Sequence, residues 1–357
     1  YMTNSAYFLR HQETKRAILG ITRLIIKSQT KLLALFLYLT LLGCQEPSSS
    51  NRTYVLTTGT TSATYYPVGV ALATLVSADQ DSAFSLSAIS SAGSLENVKL
   101  LRDNQAQLAT MLSIFATWAY EGEGPILNPQ SHLRAVTALW PNVEHLLLKS
   151  ELVTDGTFSD FGKLNGGRIS IGMRNSGAEI TGLYMLDKLG IDYKTDLSIA
   201  YLGYGPSADA LQDDNIVGLN APGGPPMAAI TRAHALLGDQ LTILSVNQEE
   251  LNAINSEYMI WDFYDLPANT YPSQNETIRT AGSANVLIAR EDVPDSVVYA
   301  LTKLIWENLA VLREIHGATR SMVFEQALRG VTIPLHDGAL RFYQEKGLDI
   351  PDALLRD

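Results

Sequence analysis

Four short polar loops limit the architectures open to this chain, because each joins a strand-like run directly to a helix-like run. The loops are TTGTTSAT, SSAGS, RNSG and GYGPS, which begin at Thr57, Ser90, Arg174 and Gly203. None leaves room for a long connection, so each helix is predicted to begin where its strand ends. Strands that alternate with helices in this way predict an α/β fold with parallel sheets covered by helices.

The same alternation continues beyond these loops. Runs such as LATML (108–112) and VLIAR (286–290) are typical of strands, and the apolar spacing over 67–76 and 180–190 is typical of helices. The longest helix is predicted over 295–315. The chain therefore contains enough βα units for two sheets.

The polar loops also predict a binding site, because ligands of open α/β sheets collect beyond the carboxyl ends of the strands. Helix N-termini at that edge present N–H groups without partners and a partial positive charge. Ser176 and Glu179 have the spacing of a capping box, and Ser94 and Ser207 are further N-cap candidates. Several such helix ends together would bind an anion or carboxylate without a basic side chain. The alternative is that each loop is an ordinary βα turn.

The N-terminal region is similar to a secretion signal. Lys27 and Lys31 precede an apolar run over 32–42, which is too short to span a bilayer and suits the core of a signal peptide. The run ends at Gly43 and Cys44, which is the only cysteine, in an arrangement that resembles a bacterial lipobox.

We therefore expect a lipoprotein signal peptide over 1–43, lipid attachment at Cys44 and a tether over 44–52. The protein would be periplasmic and anchored to a membrane by its lipid. The alternative is an ordinary cleavage site with an incidental cysteine.

Charge argues against a nucleic-acid partner. Residues 1–43 hold six of the 26 Lys/Arg and one of the 37 Asp/Glu, which leaves a formal charge of −16 for the rest of the chain. Phosphate binding needs a basic face, which this balance does not favour. The length of 357 residues is sufficient for two lobes.

Sequence patterns of common catalytic and cofactor sites are missing. Gly59 alone does not make a dinucleotide loop, no P-loop lysine follows it, and there is no Gly-x-Ser-x-Gly motif. No two histidines of the mature chain are spaced as metal ligands, and no cysteine supports them. The sequence predicts a protein that is not an enzyme and has neither a cofactor nor a metal.

Six segments, taken in order, resemble one protein family. TTGTTSATYYPVG is similar to the opening segment of TAXI proteins, the substrate-binding subunits of one branch of TRAP transporters. The other five segments are SSAGSLENVKLL, AYEGEGP, GGRISIGMRNSGAEI, NTYPSQNETIRT and IPLHDGALRFYQEKGL. The resemblance extends from about residue 52 to residue 350.

The resemblance implies an α/β, two-lobed periplasmic-binding-protein-like fold of type II. Each lobe would be a sheet flanked by helices, and crossing strands would form the hinge. We expect lobe 1 to comprise 53–144 plus 276–357, and lobe 2 to comprise 145–275.

The resemblance also implies a function. An extracytoplasmic solute-binding protein would capture a small organic anion, such as a dicarboxylate or an amino acid, for a sodium-coupled TRAP permease. It would act as a monomer and would contact the membrane only through its lipid. The alternatives are a sensor of the same fold that presents its ligand to a signalling partner, and an enzyme on a two-lobed scaffold.

Eleven of the expected ligand-binding residues lie in the polar loops or the matching segments, and Ser113 and Gly224 lie outside them. The full set is Thr58, Gly59, Thr60, Tyr65, Ser91, Gly93, Ser113, Arg174, Asn175, Ser176, Gly177, Gly224 and Tyr271. Arg174 is predicted to pair with a ligand carboxylate in a two-pronged geometry, and the alternative is an exposed arginine on a loop.

The chain departs from the family pattern after the third strand. Leu112 and Ile114 stand where the family often has Gln and Asp. The absence of Gln and Asp at these positions removes polar groups that a ligand ammonium could use. The alternative is that residues 112 and 114 only flank the cleft.

Overall fold

The computed structural model describes residues 52–356, and eleven strands in this range form two sheets. The expected signal peptide, Cys44 and the tether up to residue 51 lie outside the described residues. Arg52, the last residue of the expected tether, is the first residue of a strand.

The first sheet begins with three βα units, and the first two contain predicted polar loops. Their strands are short, and the third is fully buried, with Thr110 as its one polar residue. The elements are β1 (Arg52–Thr57), α1 (Tyr65–Ala78), β2 (Phe84–Ile89), α2 (Ser94–Arg102), β3 (Leu108–Leu112), α3 (Ser113–Glu121) and β4 (Leu133–Val143).

The chain then crosses to the second sheet, where the strands have only three or four residues. The elements are β5 (Leu146–Lys149), β6 (Arg168–Ser170), α4 (Gly177–Lys188), β7 (Ser198–Ala200), α5 (Tyr204–Gln212), β8 (Gly218–Asn220), α6 (Ala228–Leu237), β9 (Leu241–Ile243) and α7 (Gln248–Ile254). A capping box formed by Asn247 and Glu250 begins α7.

The last part of the chain returns to the first sheet. Its elements are β10 (Asp262–Leu266), β11 (Ile278–Arg290), α8 (Asp295–Glu307), α9 (Leu309–Ile315) and α10 (Asp337–Glu345). Short 3₁₀ turns lie at Ser150–Leu152, Phe158–Lys163, Gly238–Gln240, Gly317–Ser321, Phe324–Gln326 and Asp352–Leu354.

Both sheets are mixed, whereas the sequence predicted parallel sheets. In the first sheet, β1 pairs in parallel with β2 and β3, but β11 is antiparallel to β3, β4 and β10. In the second sheet, β6 is parallel to β7 and β8, but β5 is antiparallel to β8 and β9. The antiparallel strands are those on which the chain enters or leaves a lobe, so they do not belong to βα repeats.

The strand β10 lies in the range expected for lobe 2, yet it pairs in the first sheet. The strand β11 is 13 residues long, so one of its edges has room for two partners. The strand β10 pairs with the first part of this edge, and β3 pairs with the later part. The sheets are joined by the short β4–β5 connection and by the chain around β10.

Two further details differ from the sequence prediction. The helix expected over 295–315 is divided at Asn308, whose φ of −118° and ψ of 26° leave the helical region, and α1 is longer than either piece. Ser176 is an N-cap as predicted, but Ser94 is the first residue of α2 and Ser207 lies inside α5.

Candidate ligand-binding cleft

Four helix N-termini meet at one cavity between the two sheets. Both the N-cap and the first residue of α1 and α2 in the first lobe, and of α4 and α5 in the second, line it, whereas α3 contributes only its N-cap, Leu112. The cavity encloses about 600 Å³ of empty space, counting the part that opens to solvent. The four loops TTGTTSAT, SSAGS, RNSG and GYGPS all contribute, so the structure brings together the segments that the sequence singled out.

The cavity is lined by neutral groups. Within residues 52–356, its lining contains hydroxyls, an amide, an indole and glycines, and no Lys, Arg, Asp, Glu or His. The polar side chains are those of Thr60, Thr64, Tyr65, Ser94, Trp140, Asn142, Ser176 and Tyr204. Electrostatic attraction for an anion would therefore come from the helix ends.

The four helix N-termini differ in whether an acidic side chain offsets the partial positive charge of the helix dipole. Glu96 of α2 accepts a hydrogen bond from the Ala92 N–H, and Glu179 of α4 accepts one from the Asn175 N–H. The first turns of α1 and α5 contain no acidic residue and no side-chain cap. The N-termini of α1 and α5 thus keep the positive end of the helix dipole facing the cavity.

Seven of the predicted site residues line the cavity. They are Gly59, Thr60, Tyr65, Gly93, Ser176, Gly177 and Gly224. The remaining six, which are Thr58, Ser91, Ser113, Arg174, Asn175 and Tyr271, lie outside the lining.

Thr58 and Ser91 belong to a hydrogen-bond network beneath the first-lobe loops. Its centre is the buried Asn97, whose amide donates to the carbonyls of Thr58 and Thr110 at 2.6 and 2.7 Å. The Asn97 carbonyl oxygen accepts from the hydroxyls of Thr57 and Ser91 at 2.7 and 2.6 Å. These residues position the loops and leave Gly59 and Thr60 to face the cavity.

Arg174 does not reach the cavity. The residue is exposed, and its guanidinium carbon lies 3.7 Å from the centre of the Tyr201 ring. This stacking on a neighbouring loop gives the guanidinium a favourable position outside the lining. The structure therefore does not support the predicted role of Arg174 as the partner of a carboxylate.

The other three residues have structural surroundings. Ser113 is buried at the start of α3, where its carbonyl accepts from the hydroxyl of Thr117. Tyr271 is buried in the core of the second lobe, and its hydroxyl contacts His145 Nε2 at 2.7 Å. Asn175 accepts a hydrogen bond from Lys99 of the first lobe at 3.3 Å, so it joins the lobes beside the cavity.

The two lobes are in contact across the cavity. The Thr64 hydroxyl at the start of α1 donates to the Gly224 carbonyl of the second lobe at 3.2 Å. A Cβ added at Gly177 would lie 2.8 Å from Ser94 Oγ, so the N-terminus of α4 packs directly against that of α2. Glycine at 177 permits this close approach of the lobes.

The floor of the cavity was missed by the sequence analysis. Trp140 and Asn142, two residues apart near the end of β4, line it from the strand that leads to the second lobe. Gly224 packs beside the indole, since a Cβ added there would lie 2.7 Å from Trp140 Nε1. Recognising these residues in the sequence would have required knowing that β4 is a crossing strand.

The two phenols of the lining are hydrogen-bond donors that are already used. Tyr65 donates to Asn285 Oδ1, and Tyr204 donates to the Pro222 carbonyl at 2.8 Å. Burial raises the pKa of both hydroxyls, with a smaller contribution from Glu144 at Tyr204. Both rings therefore stay neutral and contribute no negative charge to the cavity.

Glu144 lies behind the floor, in the connection between β4 and β5. It is fully buried, and its Oε2 accepts from Asn220 Nδ2 at 3.0 Å. Burial raises the pKa of the Glu144 carboxyl to about 7. Glu144 does not line the cavity, so no ligand contact follows from it.

Comparison with known proteins places these features in a family. The model of the NMT1-like family matches residues 56–347, which is most of the chain. The chain belongs to the NMT1-like family.

Solved structures that are similar to this NMT1-like protein match it at low sequence identity. MatC from Rhodopseudomonas palustris with bound malate has 14% identity and a TM-score of 0.50, over 85% of this chain and 98% of MatC. The periplasmic aliphatic sulphonate binding protein SsuA from Escherichia coli has 13% identity and a TM-score of 0.43, over 85% and 91% of the two chains. The NMT1-like protein has the two-lobed α/β fold of periplasmic binding proteins, with a sheet flanked by helices in each lobe.

Residues 52–356 lack two further features. Among the helices of this NMT1-like protein, none there combines the length and apolar character needed to cross a membrane. No group of three or more His, Cys, Asp or Glu residues in the same range is arranged to hold a metal ion.

Proposed function

We propose that the protein is an extracytoplasmic solute-binding protein that captures a small organic anion in the cavity between its lobes. The observation that carries the proposal is the convergence of four helix N-termini, two from each lobe, on one cavity with a neutral lining. Helix N-termini bind carboxylates through free N–H groups and the helix dipole, so a basic side chain is not required. The neutral hydroxyls and glycines of the lining allow the ligand to approach the backbone closely.

The lobe contacts support a mechanism of capture by closure. Thr64 and Gly224, Lys99 and Asn175, and Ser94 and Gly177 meet across the cavity. A ligand that bridges both lobes would stabilise this arrangement over a separated one. We assign residues 53–144 plus 276–357 to one lobe and 145–275 to the other, with β10 paired to the first sheet.

We further propose that the protein acts as the TAXI subunit of a sodium-coupled TRAP permease. The six matching segments support this assignment, and three of them supply loops of the cavity. The same proposal places the protein, as a monomer, on the outer face of a membrane, held there by a lipid on Cys44.

A ligand panel tests the proposal directly. The full chain, solubilised in detergent, would be titrated by calorimetry with succinate, malate, 2-oxoglutarate and glutamate, and with succinamide as a neutral control. At 100 times the Kd, a bound ligand should add about 2.7 kcal/mol to the free energy of unfolding. We expect at least one anion to bind intact and raise the Tm, and succinamide to have no effect. Conversion of a bound compound, or equal binding of succinamide and succinate, would contradict the proposal.

A further inference from the structure

Two buried N–H donors at the floor of the cavity have no partner. Trp140 is 1% exposed and Asn142 is 4% exposed, and both line the cavity. Within the described part of the chain, neither Trp140 Nε1 nor Asn142 Nδ2 has a hydrogen-bond partner. Buried polar groups are nearly always hydrogen-bonded, so two orphaned donors in one cavity indicate that a bound molecule supplies the acceptors.

Trp140 and Asn142 lie on the same face of β4. Both line the cavity, whereas Leu139 and Pro141 line a pocket on the opposite face of the strand. The floor is also held in place, because Asn285 Nδ2 donates to the Trp140 carbonyl at 2.9 Å and Asn285 Oδ1 accepts from Tyr65. The donors are thus positioned before a ligand arrives.

The cavity offers no carboxylate partner for a cation on the ligand. No Asp or Glu side chain in residues 52–356 lines it. Glu96 and Glu179 accept hydrogen bonds from the backbone N–H groups of Ala92 and Asn175, and Glu144 accepts from Asn220 behind the floor. An ammonium group enclosed here would lose its water without gaining a carboxylate partner, which is unfavourable.

We propose that Trp140 and Asn142 are specificity-determining residues that bind an oxygen of the ligand, and that the cavity selects organic acids without an ammonium group. This inference rests on the proposed function, since it assigns the ligand class of the same cavity. One end of the ligand contacts the helix N-termini of α1 and α5, and an oxo, hydroxyl or carboxylate oxygen accepts from the floor. Amino acids of the same length are excluded by their ammonium group.

Matched ligand pairs test the selection. Malate and aspartate differ by a hydroxyl and an ammonium group on the same carbon skeleton, and 2-oxoglutarate and glutamate differ by a keto oxygen and an ammonium group. Calorimetry on the full chain in detergent should show that the oxygen-bearing member of at least one pair binds at least tenfold more tightly. Tighter or equal binding of the amino acid in the pair that binds would overturn the inference and leave the proposed function standing. Absence of binding by all four compounds would overturn the inference, and absence of succinate binding as well would refute the proposed function.

Variants test the two residues. Trp140→Phe removes the N–H and keeps an aromatic ring, and it should lower the affinity for the bound acid about tenfold or more. Asn142→Asp places a carboxylate on the floor and should shift the preference within the pair toward the amino acid. Trp118→Phe is the matched control, because Trp118 Nε1 is also buried without a partner in the described residues but lies outside the cavity.

The control variant should keep its affinity within about twofold of the wild type, and the Tm of each ligand-free variant should show that it is folded. An unchanged affinity in both Trp140→Phe and Asn142→Asp would overturn the assignment. An equal loss in Trp118→Phe would do the same, because the loss would then not arise at the floor.

Discussion

Replacement of Gly177 by alanine should weaken ligand binding by preventing close approach of the lobes. Gly177 is the first residue of α4, and the added Cβ would lie 2.8 Å from Ser94 Oγ and 3.1 Å from Leu112 Cδ1 in the other lobe. Ser94 cannot easily move away, because its Oγ accepts a hydrogen bond from the Leu112 N–H at 3.2 Å. The clash exists only while the lobes are in contact, so the separated form is unaffected.

The magnitude follows from the cost of overpacking. An extra methyl group in a tightly packed contact costs about 1–3 kcal/mol, and each 1.4 kcal/mol is a factor of ten in affinity. Gly177→Ala should therefore raise the Kd by about 5- to 150-fold. The ligand-free protein should be as stable as the wild type or slightly more stable, because alanine favours the helix over glycine.

Gly182→Ala is the matched control. Gly182 lies on the same helix, and its added Cβ would meet Asn220 Nδ2 at 3.5 Å and Ile171 Cβ at 3.6 Å, which are ordinary contacts within one lobe. Calorimetry would compare both variants with the wild type, using the anion that binds most tightly in the panel. Small-angle scattering would show whether saturating ligand still compacts each variant. Wild-type affinity in Gly177→Ala, or the same loss in Gly182→Ala, would refute the reasoning.

Three further variants test other parts of the structure. Glu144→Gln should stabilise the protein at pH 8 and change little at pH 4. The folded pKa of about 7 exceeds the ordinary value of 4.5, so the stability that Glu144 contributes is present below pH 4.5 and is lost as the pH rises through 7. Between pH 4.5 and 7 the wild type should lose about 3 kcal/mol of stability relative to Glu144→Gln. Urea unfolding of the wild type and of Glu144→Gln at pH 4 to 8 measures this difference. A difference in stability that is the same at every pH would contradict the prediction. Asn97→Ala removes four hydrogen bonds, three of them buried, and should lower the free energy of unfolding by about 3–5 kcal/mol in urea. A loss below about 1 kcal/mol would show that the network is not structural. Cys44→Ser should release the protein from membranes or block its processing, and normal processing with continued membrane fractionation would disprove the lipid anchor.

The sequence was sufficient to predict the fold class and the parts of the site that depend on local structure. Each of the four polar loops joins a strand to a helix, and parallel strands place their carboxyl ends at one edge of a sheet. The residues at the resulting helix N-termini, such as Gly93, Ser176 and Gly177, therefore could be predicted to line the cavity. Local chain direction decides these positions, and the local sequence encodes it.

Tertiary structure decided which side chains face the cavity. Thr58 and Thr60 have the same chemistry, but Thr58 is held below the loop by Ile89 and Asn97, and only Thr60 lines the cavity. Arg174 is at the predicted loop, but the ring of Tyr201, which is distant in sequence, keeps its guanidinium outside. Trp140 and Asn142 line the cavity because β4 crosses between the lobes. Contacts between segments far apart in the chain set these positions, and a single sequence does not show which segments will meet.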